Sequence, residues 1–173
     1  MEIPDVRELS KLVESDEKVW DLYKDGIVAT LNQAGTASGK PQVMQYSPRS
    51  IRELSGWVSA IRPSFSSMKA YFLNREPFSY GIPTFDKILE SSDNFVLYQE
   101  NIMSALVYVG FLEDETYGLL KAIAKKKEGI IEPIHDKFID GFKKRVIEED
   151  GTSEDVAEEQ ALKVWKIIED AVG

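Results

Sequence analysis

The sequence predicts a mainly α fold, and three observations support this prediction. Apolar residues recur at a spacing of three to four along most of the 173-residue chain, as they do on one face of a helix. The alternation of apolar and polar residues that marks exposed strands is almost absent. Glycine, proline and hydroxyl residues divide the chain into segments of helical length. We therefore expect a multi-helix domain with irregular connecting segments. At most one short strand is expected, near residues 27–31, where a helical turn is the alternative.

The first predicted helix covers residues 4–24, which carry apolar side chains at helical spacing. An acidic stretch at residues 14–17 is a candidate break within it. Glycine and proline then mark a loop at residues 35–41.

The next helix has a clear predicted start and end. Ser47 supplies a hydroxyl cap and Pro48 fits the first helical position, where its missing N–H costs nothing. Pro63 should end this helix, because proline disfavours a helical conformation in the residue before it. Residues 64–90 are expected to mix short helices with turns.

The remainder of the chain is predicted to be almost entirely helical. Residues 91–93 offer capping side chains, and residues 150–153 read as a turn and cap before the last helix. The predicted helices are residues 94–110, 113–127, 133–147 and 156–172.

Composition excludes several kinds of protein. The chain has no cysteine, so it forms neither disulfides nor a thiolate zinc site. Its single histidine, His135, stands in a charged stretch typical of a helix surface, which argues against a histidine-dependent relay. No apolar run approaches the ~18 residues of a membrane span, and no signal-peptide pattern opens the chain. The cytoplasm is therefore the predicted location, with no membrane contact.

A catalytic centre for phosphoryl transfer is not predicted. Two-metal chemistry needs carboxylates that hold magnesium ions, and a close Asp-x-Asp pair is a common source of them. The sequence contains no Asp-x-Asp. Its nearest acidic cluster, residues 113–115, stands at a predicted helix start, where the helix dipole favours acids. We therefore expect no catalytic residue, no metal site and no cofactor within this chain.

The charge of the chain is unevenly distributed. The net charge of −9 argues against a general nucleic-acid-binding protein. Between residues 40 and 75, however, six basic residues stand against one acid, whereas residues 146–173 carry a net charge of −7. The basic stretch also contains the aromatic residues Tyr46, Trp57, Phe65, Tyr71 and Phe72. This mixture suits a groove that follows a nucleic-acid backbone and stacks its bases. The alternative is that the aromatic residues form a core and the charges a solvated face.

Three adjacent lysines, Lys125, Lys126 and Lys127, end the helix predicted for residues 113–127. Crowded cations repel one another unless an anion joins them. Lys121 lies four residues before Lys125, and hence on the same helix face. The cluster therefore predicts a polyphosphate site. A structural role is equally compatible with the spacing, since the helix dipole favours cations in the last turn by about 0.3–1 kcal/mol each.

Several segments carry a resemblance to a known family. In order, they read SAIRPSF at residues 59–65, FLNR at 72–75, YQENIM at 98–103, LLKAIAKKK at 119–127 and KFIDG at 137–141. This series resembles the fingers region of the bacterial replicative DNA polymerase III alpha subunit, a C-family DNA polymerase. The family's corresponding segments are an ALYRPGP turn, FI-RK, YQEQVM, a helix ending in a lysine triplet, and a KFIEG-like segment. Upstream of these, Asn32 and Gln33 resemble part of the family's FQ-ES segment, and the closing helix with Ala161, Trp165 and Ile168 resembles the stretch just before its YGFN-SHA segment. With these two segments, the matches extend in order over most of the chain.

The sequence also departs from the family pattern. Leu120 and Lys121 stand where the family commonly has two arginines, so one cation is lost. Asn101 replaces the second glutamine of YQEQ, and Ser64 replaces the glycine after Arg-Pro. The catalytic aspartates of the family's palm domain lie upstream of this region and are absent from the sequence. The chain therefore resembles a piece of a divergent polymerase, for which a phage or prophage origin is one hypothesis.

The resemblance implies a fingers-type helical domain of a DNA-replicating nucleotidyltransferase. In that family the fingers close over the incoming deoxynucleotide triphosphate on a template-primer, while magnesium held by the palm supports the chemistry. Phosphate contacts are implied for Arg62, Lys121, Lys125, Lys126 and Lys127, and contacts with the nucleic-acid backbone for Arg49, Arg52 and Arg75. Gln99 and Glu100 are expected to hold the fingers together by hydrogen bonds, with substrate contact as the alternative.

Residues 1–45 would then be a palm-adjacent entry segment and residues 46–173 the helical fingers region, together forming one compact unit. Other polymerase domains, template-primer DNA and deoxynucleotide triphosphate would be the partners. Alone, such a chain should be inactive as a polymerase. Composition by itself supports an alternative, a non-enzymatic helical interaction module or nucleic-acid-binding accessory protein, since apolar helical stripes require no catalytic cluster.

Overall fold

The computed structural model describes residues 5–62, 65–126 and 128–172. All regular structure within these ranges is helical, which confirms the predicted mainly α fold. The helices are α1 (Val6–Ser15), α2 (Glu17–Lys24), α3 (Gly39–Tyr46), α4 (Ile51–Ala60), α5 (Lys69–Leu73), α6 (Pro83–Ile88), α7 (Gln99–Tyr108), α8 (Thr116–Ala124), α9 (Ile131–Asp150) and α10 (Glu154–Val172), with 3-10 turns at Glu90–Ser92 and Glu113–Glu115. They belong to two compact units, Met1–Pro77 and Phe78–Gly173. The proposed entry segment, residues 1–45, falls in the first unit, and its place beside a palm stays a prediction.

In the first unit, α1 and α2 are separate helices because each has its own cap. The Asp5 carboxylate accepts a hydrogen bond from the Arg7 N–H at 3.1 Å, and the Asp16 carboxylate accepts one from the Lys18 N–H at 3.0 Å. Asp16 is extended, so the first helix ends there and the second begins. The break expected at residues 14–17 is confirmed.

Residues 27–31 form turns rather than a strand. The Gly35 N–H donates to the Leu31 carbonyl at 2.9 Å and closes one of the turns that follow. The helix α3 then begins at Gly39, where the sequence predicted a loop. A side chain at Gly39 would collide with the Gln33 carbonyl oxygen, which lies 2.0 Å from the position of an added Cβ. This close approach explains the glycine, which signals a loop only when it is read in isolation.

The predicted start of the next helix is wrong by a few residues. Ser47 adopts a left-handed conformation, with φ of 49°, and ends α3. Ser50 is the cap of α4, because its hydroxyl accepts a hydrogen bond from the Glu53 N–H at 3.0 Å. The helix ends at Ala60, close to the predicted end, and Pro63 lies outside the described residues.

The aromatic residues of the basic stretch mostly form a core. The buried members are Tyr46, Trp57, Phe65 and Phe72. The rings of Tyr46 and Phe72 stack with centroids 4.6 Å apart, and Phe65 meets Phe72 edge-on at 5.8 Å. Tyr71 alone among the five is exposed. These aromatic pairs stabilise the first unit, so four of the five side chains are not available as stacking platforms.

In the second unit, α9 and α10 pack side by side as a helical hairpin. Gly151 ends α9 in a left-handed conformation, with φ of 64°, as predicted for the turn at residues 150–153. The helix α9 starts at Ile131, slightly earlier than expected, and Pro133 lies in its first turn, where no intrahelical hydrogen bond is lost. The core of the hairpin consists of Phe138, Phe142, Val146, Ala157, Ala161, Val164, Trp165 and Ile168.

The helix predicted for residues 94–110 begins later, at Gln99. Asp93 and Asn94 both adopt left-handed conformations, with φ of 53° and 67°, and residues 95–97 are not helical. The expected capping residues at 91–93 therefore belong to the end of a 3-10 turn instead. The helix predicted for residues 113–127 is also shorter, since a 3-10 turn precedes α8.

Candidate functional site

The helix α8 has an apolar side in the core and a cationic side in solvent. Leu120 and Ile123 are buried, whereas Lys121 is exposed. Leu120 is only 4% exposed. At the two positions where the resemblance implies cations, one side chain therefore packs in the core and Lys121 alone reaches solvent.

Two further lysines lie where α8 ends. The Lys125 N–H donates to the Lys121 carbonyl at 3.2 Å, and the Lys126 N–H donates to the Ile123 carbonyl at 3.0 Å. The helix ends at Ala124 with Lys125 as its cap, and Lys126 has a φ of 45°, so the helix does not continue. Both side chains are exposed, and Lys127 lies outside the described residues. The negative end of the helix dipole favours these cations, and their exposure leaves them accessible to an anion, so the structural and phosphate-binding roles are compatible.

Tyr117 joins this cationic side of α8, although the sequence analysis did not single it out. The Nζ atom of Lys121 lies 4.2 Å from the centroid of the Tyr117 ring. Tyr117 is 54% exposed. The four-residue spacing between the two residues is a signal that could have identified the pair, since a cation over an aromatic face is held there by the ring quadrupole.

The YQENIM segment is anchored by Asn101 at the start of α7. Its Oδ1 atom accepts hydrogen bonds from the N–H groups of Leu97 at 3.1 Å and Tyr98 at 2.9 Å. Its Nδ2 group donates to the Ser92 hydroxyl at 3.0 Å, and that hydroxyl lies 2.6 Å from the Phe95 carbonyl oxygen. Asn101 is 5% exposed, so this network joins residues 92–98 to α7 from within the core.

Gln99 and Glu100 occupy the first two positions of α7 and are exposed. The hydrogen bonds that hold this segment in the described structure come from their neighbour Asn101. The role predicted for Gln99 and Glu100 in holding the fingers together stays a prediction.

The KFIDG segment lies in α9 and serves packing. Phe138 is fully buried and stacks on Phe142, with ring centroids 5.8 Å apart. A Cβ added at Gly141 would lie 2.4 Å from the Val109 carbonyl oxygen, so glycine lets α9 approach the end of α7 closely. Lys137 places its Nζ atom 4.3 Å from the centroid of the Phe111 ring. The segment thus supports the unit that carries α8.

Arg75, predicted to contact nucleic acid, is at the centre of a network in the first unit. Its guanidinium donates to both Glu53 carboxylate oxygens, each at 2.8 Å. It also donates to the Tyr46 and Ser47 carbonyls at 3.1 Å and lies 4.4 Å from the centroid of the Tyr46 ring. The same carboxylate accepts a hydrogen bond from the Arg49 N–H at 2.7 Å. Arg75 therefore links the end of α3 to the start of α4.

The bidentate pair shifts the titration of both partners. Hydrogen bonds from Arg75 are the main cause that lowers the pKa of Glu53 below its ordinary value, against an opposing effect of burial. The same contact raises the pKa of Arg75. Sequence analysis missed Glu53, although it was the single acid within the basic stretch, which is a signal of pairing.

The other predicted cations of the first unit differ in their contacts. The Arg49 guanidinium donates to the Asp21 carboxylate at 2.8 Å. Arg52 is exposed on α4, and Arg62 is exposed just after that helix. Arg62 lies in the first unit and the lysines of α8 in the second, so the predicted phosphate contacts fall into two sets.

Neither a metal centre nor a membrane span is found in the described ranges. No three histidine, cysteine or acidic residues there are grouped so that they could hold a metal ion. No helix described is long and apolar enough to cross a membrane.

The fold and the site define a class of protein, a mainly α chain with an exposed cationic helix end. The model of the bacterial DNA polymerase III alpha subunit finger domain matches residues 5–146. The chain therefore belongs to this family, and the resemblance seen in its sequence is confirmed.

Curated relatives support the assignment and show the divergence. The chain is 27% identical to the DNA polymerase III subunit alpha of Aquifex aeolicus over 161 residues, which cover 89% of this chain and 13% of the relative. It is 29% identical to that of Thermotoga maritima over 137 residues, covering 78% and 16%. For Staphylococcus epidermidis the identity is 28% over 133 residues, covering 74% and 12%. The chain thus corresponds to only 12–16% of the length of these relatives.

Proposed function

We propose that this chain is the part of a replicative DNA polymerase that binds the triphosphate of the incoming deoxynucleotide. The observation that carries the proposal is that Lys121 and Lys125 share one exposed face at the end of α8, in a chain of the finger-domain family. Lys126 extends this cationic group.

At this site, phosphate binding would depend on the ammonium groups of the lysines. The C-terminal end of a helix repels anions, so the backbone of α8 adds no attraction. Phosphate oxygens would instead accept charge-assisted hydrogen bonds from the lysines. In this proposal, neutralisation of the triphosphate is the contribution of the chain. Magnesium, and the carboxylates that hold it, belong to other parts of the polymerase in the cytoplasm.

The template-primer is the second proposed ligand, and the basic stretch of the first unit is its proposed contact. Arg52 and Arg62 are exposed there, and phosphates would replace the carboxylate partners of Arg49 and Arg75. Lysine and arginine contacts with phosphates would position DNA without reading its sequence.

Titration of the chain with dATP, followed by NMR, tests the nucleotide role. Lys121→Ala and Lys125→Ala should each weaken binding by roughly 2–10-fold, since an exposed charge-assisted contact contributes about 0.5–1.5 kcal/mol. Lys144→Ala is the matched control, because Lys144 is an exposed lysine of α9 in the same unit. Equal affinities for all three variants would refute the site assignment. Magnesium-dependent polymerisation by the chain alone would refute the proposal that the catalytic carboxylates belong to other parts of the polymerase.

A helical interaction module is the second candidate, and α1 favours it. This helix has no buried residue, and Val6, Leu9 and Leu12 are 74%, 41% and 63% exposed. Exposed apolar side chains three residues apart on a helix form a patch, which is a common feature of association surfaces. Absence of dATP binding by the wild-type chain would favour this candidate over the first.

A further inference from the structure

The cationic side of α8 contains an aromatic ring that phosphate binding alone does not require. Tyr117, Lys121 and Lys125 follow one another at four-residue intervals, which places them in a row about 6 Å apart along the helix. More than half of Tyr117 is exposed, so the residue does not serve to fill the core. The Lys121 ammonium at 4.2 Å from the ring centroid joins the first two members of the row.

We propose that Tyr117 binds the base of a nucleotide whose phosphates contact Lys121 and Lys125. A tyrosine ring stacks on any nucleobase, because every base has a π face. The base would take the face of the ring opposite the Lys121 ammonium. A sugar separates the base from the phosphates, much as one helical turn separates Tyr117 from Lys121. The site therefore recognises a base joined to phosphate rather than phosphate alone. This inference rests on the proposed function and deepens it.

The ligand chemistry has two sources, a free nucleoside triphosphate and single-stranded DNA. Both offer a base next to a phosphate, and both suit an aromatic ring beside lysines. A short oligodeoxyadenylate and dATP therefore serve as separate probes. The alternative explanation is that Tyr117 only stabilises α8 through its contact with Lys121. In that case its removal would change stability and leave the choice of ligand unaltered.

The test compares dATP, the oligodeoxyadenylate and inorganic tripolyphosphate, each titrated into the full chain. Tyr117→Leu should weaken binding of at least one base-bearing ligand about tenfold, which corresponds to the loss of one stacked base. Affinity for tripolyphosphate should stay within about twofold, while Lys121→Ala should weaken all three ligands. Tyr117→Phe keeps the ring and should behave as wild type. Leu162→Ala, at an exposed side chain of α10 in the same unit and outside both proposed sites, is the control.

The results separate this inference from the proposed function. If tripolyphosphate and dATP bind but Tyr117→Leu leaves the base-bearing ligands within twofold of wild type, the base site is refuted and the anion site stands. If no ligand binds the wild-type chain, both proposals fail. The Tyr117 ring resonances provide a measurement that does not depend on a variant. They should shift more on addition of the base-bearing ligand that Tyr117→Leu weakens than on addition of tripolyphosphate, and equal shifts would contradict base stacking.

Discussion

Replacement of Asn101 by alanine tests whether one buried amide holds the start of α7. The side chain accepts hydrogen bonds from the Leu97 and Tyr98 N–H groups and donates to Ser92. Asn101→Ala would leave the buried Leu97 N–H without its partner, at a cost of about 1–3 kcal/mol. Tyr98 is half-buried, so its N–H recovers part of its hydration and adds a smaller cost. We expect a total loss of about 2–4 kcal/mol from the free energy of unfolding.

Urea unfolding combined with hydrogen exchange measures this loss of unfolding free energy in the second unit. In a unit of under 100 residues, each 1 kcal/mol corresponds to roughly 4–8 °C in Tm, so the loss should be large in a thermal scan as well. Amide protection should fall first at residues 97–105, because the network joins that segment to the core. Ser104→Ala is the matched control, as an exposed polar residue three positions later on the same helix, and should cost under about 0.5 kcal/mol. The reasoning is refuted if Asn101→Ala costs no more than this control.

Two other substitutions test the remaining contacts. Because Arg75 lowers the pKa of Glu53, the pair stabilises the first unit above the ordinary carboxyl pKa, and this contribution is lost as pH falls through the lowered value. Glu53→Gln should therefore flatten the acid limb of a plot of unfolding free energy against pH, and an unchanged limb would show that the pair adds nothing. Leu120→Arg should place an unpartnered cation in the core, cost about 3 kcal/mol or more in urea unfolding, and leave dATP affinity no tighter. A gain in affinity at unchanged stability would contradict the inward orientation of this side chain.

Sequence patterns predicted the helices where local signals decide the structure. The break between α1 and α2 follows from the aspartate cap at residue 16, which is a local interaction. The start of α7 could not be found in the same way. Residues 91–93 carry good capping side chains, but the cap that forms depends on the packing of Asn101 against Ser92. The helix α3 was missed because Gly39 is required by a contact with Gln33, which a local pattern does not reveal.

The candidate site was predicted in part. Lys121 and Lys125 stand on one exposed face, as helical spacing indicates. Spacing did not reveal that Leu120, at a position where the resemblance implies a cation, is buried. Nor did composition reveal that Arg75 is committed to Glu53, since pairing depends on the distance between α4 and the residues after α5.

The carboxylates paired with Arg49 and Arg75 would change how DNA binding depends on salt concentration. Asp21 and Glu53 act as built-in counter-ions for these two arginines. When a free cation binds DNA, mobile ions are released from the polymer, and each phosphate neutralised steepens the dependence of log K on log salt concentration by about 0.9. An arginine that exchanges a carboxylate for a phosphate leaves a carboxylate behind to attract a new ion, so the net release is close to zero. The stretch between residues 40 and 75 would then show a shallower salt dependence than its six basic residues suggest.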